Sequence, residues 1–310
     1  MGLQGGTEVH QQRSPDVDEI VEGGAPKRDG AEAFPAHDSR RAAFFWPAVL
    51  FLATFVTTTW AGALHQGIDI VAEPARWTAG VPYALALLAI LGVHELGHYV
   101  VARRRGVDVT LPYFIPAPFY LGTFGAFIRM RSLAKNRAAT FDIAVAGPLA
   151  GFVVALIALI MGLQGDPGGV LGGATPASSF LLAAIYTLVT GAAPQDTVQL
   201  GALAFAGWIG LVVTAINLAP VGQLDGGHIA YALLGRRRAA VLGQALILLM
   251  VGAGFLYARH WLVWAFFVWA FAGTGHPPSL SEEAGLGRGR AALATAAFAL
   301  LLVIVLPWPR

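Results

Sequence analysis

The stretch Leu85-Ala-Leu-Leu-Ala-Ile-Leu-Gly-Val-His-Glu-Leu-Gly-His-Tyr-Val-Val-Ala102 has the length and apolarity of a membrane-spanning helix, yet its second half holds His94, Glu95 and His98. A central Asp, Lys or Arg in such a helix costs on the order of 2.5–3.5 kcal/mol on insertion scales. Ionisable groups at that depth therefore signal a functional site. On a helix, His94 and His98 lie about 40° apart around the axis and Glu95 about 60° from His98. The three side chains share one face. Two imidazoles so spaced can chelate one Zn²⁺, and the neighbouring carboxylate can reach a metal-activated water as general base. Two protein ligands leave such a site incomplete, because a catalytic zinc takes a third ligand and keeps an open position.

Outward from this helix, the whole chain reads as a polytopic membrane protein. Of its 310 residues 56% are hydrophobic and 12% charged, about half the charge of an ordinary soluble domain. The apolar residues arrive in blocks long enough to cross a bilayer. A net charge of +2 is too small to suggest a nucleic-acid partner. The absence of cysteine excludes disulfides and thiolate ligands, so a metal must be held by His, Asp or Glu. Residues 1–42 are polar and aperiodic, and read as a disordered tail. Lys27, Arg28, Arg40 and Arg41 place it on the cytoplasmic side, and it is too long and acidic for a secretory signal. The membrane part is then 43–310.

The spans are expected at about 44–64, 80–102, 141–163, 199–218, 239–257 and 291–307, with 178–192 and 261–274 as shorter apolar runs. The fold is thus an all-α polytopic membrane protein with six to eight transmembrane helices. Arg103-Arg104-Arg105 stops the second span and puts the His94–His98 turn near the cytoplasmic side. Residues 107–138 depart from this pattern: Pro112, Pro116 and Pro118 break any helix, and Tyr113-Phe-Ile115 and Phe119-Tyr-Leu121 are too apolar for a solvent loop. A re-entrant or interfacial segment, or a β-hairpin, fits, since irregular backbone at membrane depth must face protein or a wet cavity. An edge strand there would suit an extended peptide; interfacial anchoring by its aromatics is the plainer reading. Arg129, Arg131, Lys135, Arg137 and Arg236-Arg-Arg238 return the chain to the cytoplasmic side.

The third ligand is expected in Asn217-Leu-Ala-Pro-Val-Gly-Gln-Leu-Asp-Gly-Gly227. Asp225 is a carboxylate in an apolar run at the same depth as the histidines. Pro220 and Gly222 interrupt the helix, and Gly226 and Gly227 allow close backbone approach. As a plainer alternative Asp225 caps a helix, and the histidines form a hydrogen-bonded pair in a bundle. The small residues of Ala146-Gly-Pro-Leu-Ala-Gly151 permit close helix packing.

Together, His94-Glu-x-x-His98 on a hydrophobic helix and the later Asn217-x-x-Pro220-x-x-x-Leu224-Asp225-Gly226 resemble the site-2 protease family of intramembrane zinc metalloproteases. Phe141-Asp-Ile-Ala-Val-Ala-Gly-Pro148 and Gly122-Thr-Phe-Gly125 are similar to that family too, so the resemblance covers about 80–235. It implies one Zn²⁺ per chain bound by His94, His98 and Asp225, with Glu95 activating water. It also implies that Asn217 holds the substrate backbone or the oxyanion, although closing a helix before Pro220 needs no catalysis. The implied reaction is hydrolysis of a peptide bond within or near the transmembrane helix of a single-span membrane protein in the lipid bilayer. The expected location is a bacterial cytoplasmic membrane, with the site nearer the cytoplasm. His228 is either an outer neighbour of the metal or an interfacial, solvated histidine, and His276-Pro-Pro278 resembles a branch with chloroplast and bacterial members. No stretch reads as the PDZ or CBS module that many members carry. A metal-transit site and an inactive scaffold are the rival classes. The first would need a polar path onward across the bilayer, which the exterior halves of the spans offer little of; the second would have lost a ligand or Glu95.

Overall fold

The computed structural model describes residues 36–165, 173–174, 176–194, 198–256, 259–273 and 285–308. The chain divides into a short N-terminal unit, Met1–Ser39, and a compact unit from Arg40 to Arg310. Helices dominate: α1 (Ala36–Leu64), α2 (Val81–Arg104), α3 (Arg137–Gln164), α4 (Phe180–Thr190), α5 (Ala202–Leu218), α6 (Asp225–Leu234), α7 (Arg236–Leu256), α8 (His260–Ala272) and α9 (Arg288–Val305). Four short strands, β1 (Tyr113–Pro116), β2 (Thr123–Phe127), β3 (Gly173–Ala174) and β4 (Val198–Gln199), and two 3-10 helices, Pro74–Gly80 and Pro176–Ser178, complete the described elements. The expected tail falls mostly outside the described residues, but α1 begins at Ala36, ahead of the expected boundary at 42.

Among the described residues, five helices are long and apolar enough to cross a bilayer: the apolar part of α1, α2 with the turn before it, α3, α7 and α9. A hydrocarbon core of about 30 Å asks for about 20 residues at 1.5 Å each. With 11 residues, α4 is too short to cross it. The 17 residues of α5 and 13 of α8 also fall short of that length. The expected count of six to eight is reached only by adding these shorter helices. Large apolar side chains such as Leu52, Val153, Leu248 and Leu302 stay exposed on the helix surfaces, as they must where the surrounding solvent is lipid.

Helix boundaries follow local chemistry. Pro82 sits in the first turn of α2, where its missing N–H costs nothing, and Arg103 and Arg104 complement the carbonyl end. The Asn136 side chain caps α3 by accepting from the Ala139 amide at 2.9 Å. The core lies where α2, α3 and α5 meet, with Leu87, Ile90 and Leu91 packed near Ala155, Leu159 and Leu211. Backbones approach closely there. A Cβ on Gly97 would lie 2.7 Å from the Ala146 carbonyl oxygen, and one on Gly207 would lie 2.4 Å from the Leu159 nitrogen.

Between α2 and α3 the chain forms a β-hairpin, one of the two forms expected for 107–138. Strand β1 pairs antiparallel with β2 through Tyr113↔Phe127, Phe114↔Ala126 and Ile115↔Gly125. The pairing continues through the Val109↔Met130 bridge. The tip is latched by side chains of α1, the turn after it, and α2. Thr57 Oγ1 donates to the Gly122 carbonyl at 2.6 Å, His65 Nε2 to Tyr120 at 2.7 Å, and the Tyr83 hydroxyl to Leu121 at 3.1 Å. Gly122 has φ +79, and a Cβ there would stand 2.4 Å from the Thr58 Cα, so only glycine fits.

The latch gives a pH prediction. His65 packs among the rings of Tyr83, Tyr120 and Phe205, and burial pushes its pKa below 6.5. The unfolded or undocked chain therefore takes up the proton first. Docking of the tip is fully stabilised above about pH 6.5 and weakens as pH falls through that value. Amide hydrogen exchange at 119–124 should accelerate relative to the hairpin base between pH 7.5 and 5. In His65→Phe that pH dependence should vanish.

Candidate metal centre

Helix α2 presents His94 and His98 one turn apart, both buried together with Glu95. His98 Nδ1 donates to the Ile143 carbonyl of α3 at 2.8 Å. With that proton committed, a neutral His98 presents a lone pair at Nε2. The rings need room, and α3 supplies it through glycines. A Cβ on Gly147 would fall 2.1 Å from His98 Nε2, and one on Gly151 would fall 3.0 Å from the His94 Cβ.

Asp225 arrives from the other side. Leaving α5, the chain turns at Pro220 and Gly222, and α6 starts at Asp225 itself. That tight reversal presses α6 onto the backbone it has just left: a Cβ on Gly226 would lie 2.0 Å from the Leu218 carbonyl oxygen. Arg137 of α3 donates to the Ala232 carbonyl at 2.6 Å and so ties down the far end of α6. As a result Asp225 Oδ2 stands 3.2 Å from His94 Nε2 and 3.2 Å from His98 Nε2. The two imidazole nitrogens are 3.1 Å apart.

These three atoms form a nearly equilateral triangle of electron-pair donors. A tetrahedral ion with bonds of about 2.0–2.1 Å has ligand–ligand edges of about 3.3 Å. The triangle fits that size, and the donor set of two nitrogens and one carboxylate oxygen fits zinc. Among the described residues it is the group of His, Asp and Glu able to hold a metal ion.

A cavity of about 640 Å³ opens onto the centre, lined by His94, Glu95, His98, Asn217, Asp225 and His228 together with the chain from Ala126 to Ala134. The Ile128 backbone N–H faces the Glu95 carboxylate from the hairpin side of this cavity. Asn217 reaches the cavity from the last turn of α5, and its side chain has no hydrogen-bond partner among the described residues. His228 lines the same cavity and pairs Nδ1 with the Leu224 carbonyl at 2.9 Å. All five expected site residues thus converge on one space. His276-Pro-Pro278 lies outside the described residues. Three groups escaped the sequence reading: the Ile128 amide, the Ile143 carbonyl and the glycine cradle of α3. Backbone groups leave no mark in a sequence, and Gly147 and Gly151 had registered only as helix-packing residues.

Comparison with known proteins places this centre in a family. The family model described as Peptidase family M50 matches residues 82–258, a segment that contains every residue of the donor triangle. The chain belongs to peptidase family M50. This is the site-2 protease family of the motif resemblance. Relatives include "Probable zinc metalloprotease EGY2, chloroplastic" of Arabidopsis thaliana, 39% identical over 197 residues, covering 61% of this chain and 35% of that protein. "Probable zinc metalloprotease EGY1, chloroplastic" of Oryza sativa subsp. japonica is 34% identical over 219 residues, 67% of this chain and 37% of the relative. "Probable zinc metallopeptidase EGY3, chloroplastic" of Arabidopsis thaliana is 30% identical over 267 residues, 79% of this chain and 46% of the relative. The chain therefore spans between about a third and a half of the length of these curated relatives. Their names place them in chloroplasts, so they lend no support to the expected bacterial cytoplasmic membrane.

Proposed function

We propose that this M50 chain is an intramembrane zinc metalloprotease that cuts a peptide bond within or near the transmembrane helix of a single-span membrane protein. The observation that carries the reading is the buried donor triangle with Glu95 beside it in the same cavity. A zinc ion held by His94, His98 and Asp225 would supply Lewis-acid activation of water and charge stabilisation for the oxyanion. The protein's own groups do the rest. Glu95 takes a proton from the attacking water and passes it to the leaving amine. The Asn217 amide, with no competing partner among the described residues, is placed to donate to the scissile carbonyl as it becomes an oxyanion.

The substrate must arrive extended, because a helical carbonyl is already hydrogen-bonded and its peptide bond shielded. Among the described residues, strand β2 pairs on one side only, with β1. Its open edge, running from Ala126 into the cavity wall, offers the backbone donors and acceptors that an unwound segment needs. The hairpin would then act as a re-entrant element between the second and third spans. Glu95 and His98 precede Arg103 by eight and five residues, so the centre lies about 8–12 Å inside the basic end of α2. That is a cytoplasmic-side site by the charge rule.

Metal analysis and a cleavage assay on a model single-span substrate test this reading. The purified chain should carry about one zinc, chelation should abolish cleavage, and added zinc should restore it. Asp225→Ala should lose most of its zinc and its activity. A chain without bound metal, or cleavage indifferent to chelation, would overturn the proposal.

A further inference from the structure

One carboxylate beside the centre takes part in none of the chemistry above. Asp142, on α3, accepts from Arg290 through Nε at 2.8 Å and through Nη2 at 3.0 Å. It also pairs with Arg105 at the end of α2. The carboxylate is only 16% exposed. Arg290 belongs to the first turn of α9, where a cation opposes the helix macrodipole. A basic residue held at that position needs a compensating anion, and Asp142 provides it with the planar, two-pronged geometry that arginine prefers.

The place of this clamp gives it a role. Asp142 immediately precedes Ile143, whose carbonyl holds the His98 ring through Nδ1. Arg105 lies two turns beyond His98 on the same face of α2. Helices α2 and α3 are thus joined twice in succession, by His98 to Ile143 and by Arg105 to Asp142. Arg290 then adds α9 to the same point. Below the clamp, Ala294 and Ala297 of α9 pack with Phe141 and Val145 of α3 and Ile229 of α6. The matched family segment ends at residue 258, so α9 lies beyond it.

We infer that Asp142, gripped by Arg290 and Arg105, is a positioning residue for the metal centre, fixing the turn of α3 whose Ile143 carbonyl orients His98. The inference rests on the proposed zinc site. Partners that orient a metal-bound histidine are worth about 10–100-fold in metal affinity. Asp142 acts one step further out, through the backbone, so the low end applies.

The test uses the full-length, zinc-loaded protein in detergent and follows zinc release to a chelator. Arg290→Gln should release zinc about tenfold faster than wild type, with Arg290→Lys, which keeps the charge and loses the fork, in between. Cobalt-substituted Arg290→Gln should show shifted visible absorption bands, reporting a turned His98 ring. Ala297→Gly loosens α9 without touching the clamp, and should lower the thermal midpoint while leaving zinc release unchanged. If Arg290→Gln releases zinc at the wild-type rate, or Ala297→Gly speeds release equally, the clamp is only a helix staple and the inference fails. A wild-type chain that holds no zinc at all overturns the proposed function, and the clamp with it.

Discussion

Replacing Glu95 with glutamine is expected to lower peptide-bond cleavage by about 10²- to 10⁴-fold while zinc content stays at the wild-type level. The substitution preserves size and shape but removes the group able to take a proton. Glu95 is not in the donor triangle, so the metal ligands are untouched. A glutamine oxygen can face the Ile128 amide as the carboxylate does, which keeps the hairpin wall in place. The side chain is also buried, and a neutral amide is cheaper to bury than a charge, so the fold should not suffer. Zinc per chain and single-turnover cleavage are the two measurements needed. Wild-type cleavage by Glu95→Gln would remove Glu95 from the chemistry.

A single methyl group at Gly147 should do comparable damage by a different route. The added Cβ would fall 2.1 Å from His98 Nε2 and 2.5 Å from both ring carbons beside it. Ordinary van der Waals contact needs about 3.5 Å or more, so the ring must move by more than an ångström. It cannot swing freely, because Nδ1 is tied to Ile143, and α3 cannot retreat without opening its contact with Gly97. Gly147→Ala is therefore expected to lose most of its zinc and at least about 10²-fold in activity, the cost of a misplacement of about 1 Å. Gly151→Ala should be milder, since its Cβ would meet His94 at 3.0 Å. Gly252→Ala on α7 meets nothing within 4 Å and serves as the harmless control. Full zinc occupancy and activity in Gly147→Ala would mean that the cradle does not constrain the ring.

These outcomes depend on features of unequal legibility. The His94–Glu95–His98 face was readable because helix geometry fixes it within four residues, and no tertiary contact is needed to know that the groups adjoin. Asp225 was readable because Pro220, Gly222 and Gly226 mark a reversal at the depth of the histidines. Prolines that forbid a helix and aromatics that refuse a solvent loop marked 107–138 as irregular and left a hairpin as one possibility, and the pairing itself decides for it. The number of spans was not readable, because hydropathy does not say where α5 starts or that α4 ends at Gly191 after 11 residues. The onset of α1 was equally hidden, since Ala36–Arg41 is polar enough to pass for tail. The double duty of Gly147 and the pairing of Asp142 with Arg290 depend on contacts between segments distant in the chain, and no local pattern announces them.

The hairpin latch has a further consequence, for how the chain is free to vary. Thr57, His65 and Tyr83 all bind backbone carbonyls at the tip, and every residue carries a carbonyl. Exchanging Phe119 or Leu121 leaves these three hydrogen bonds in place, whereas exchanging Thr57, His65 or Tyr83 removes one; Tyr120 is held to the latch by its ring as well, which packs on His65. The backbone contacts of the tip tolerate changes of sequence that its moorings do not. Two of those moorings, Thr57 and His65, precede the matched family segment, so freedom at the site is underwritten by constraint outside it.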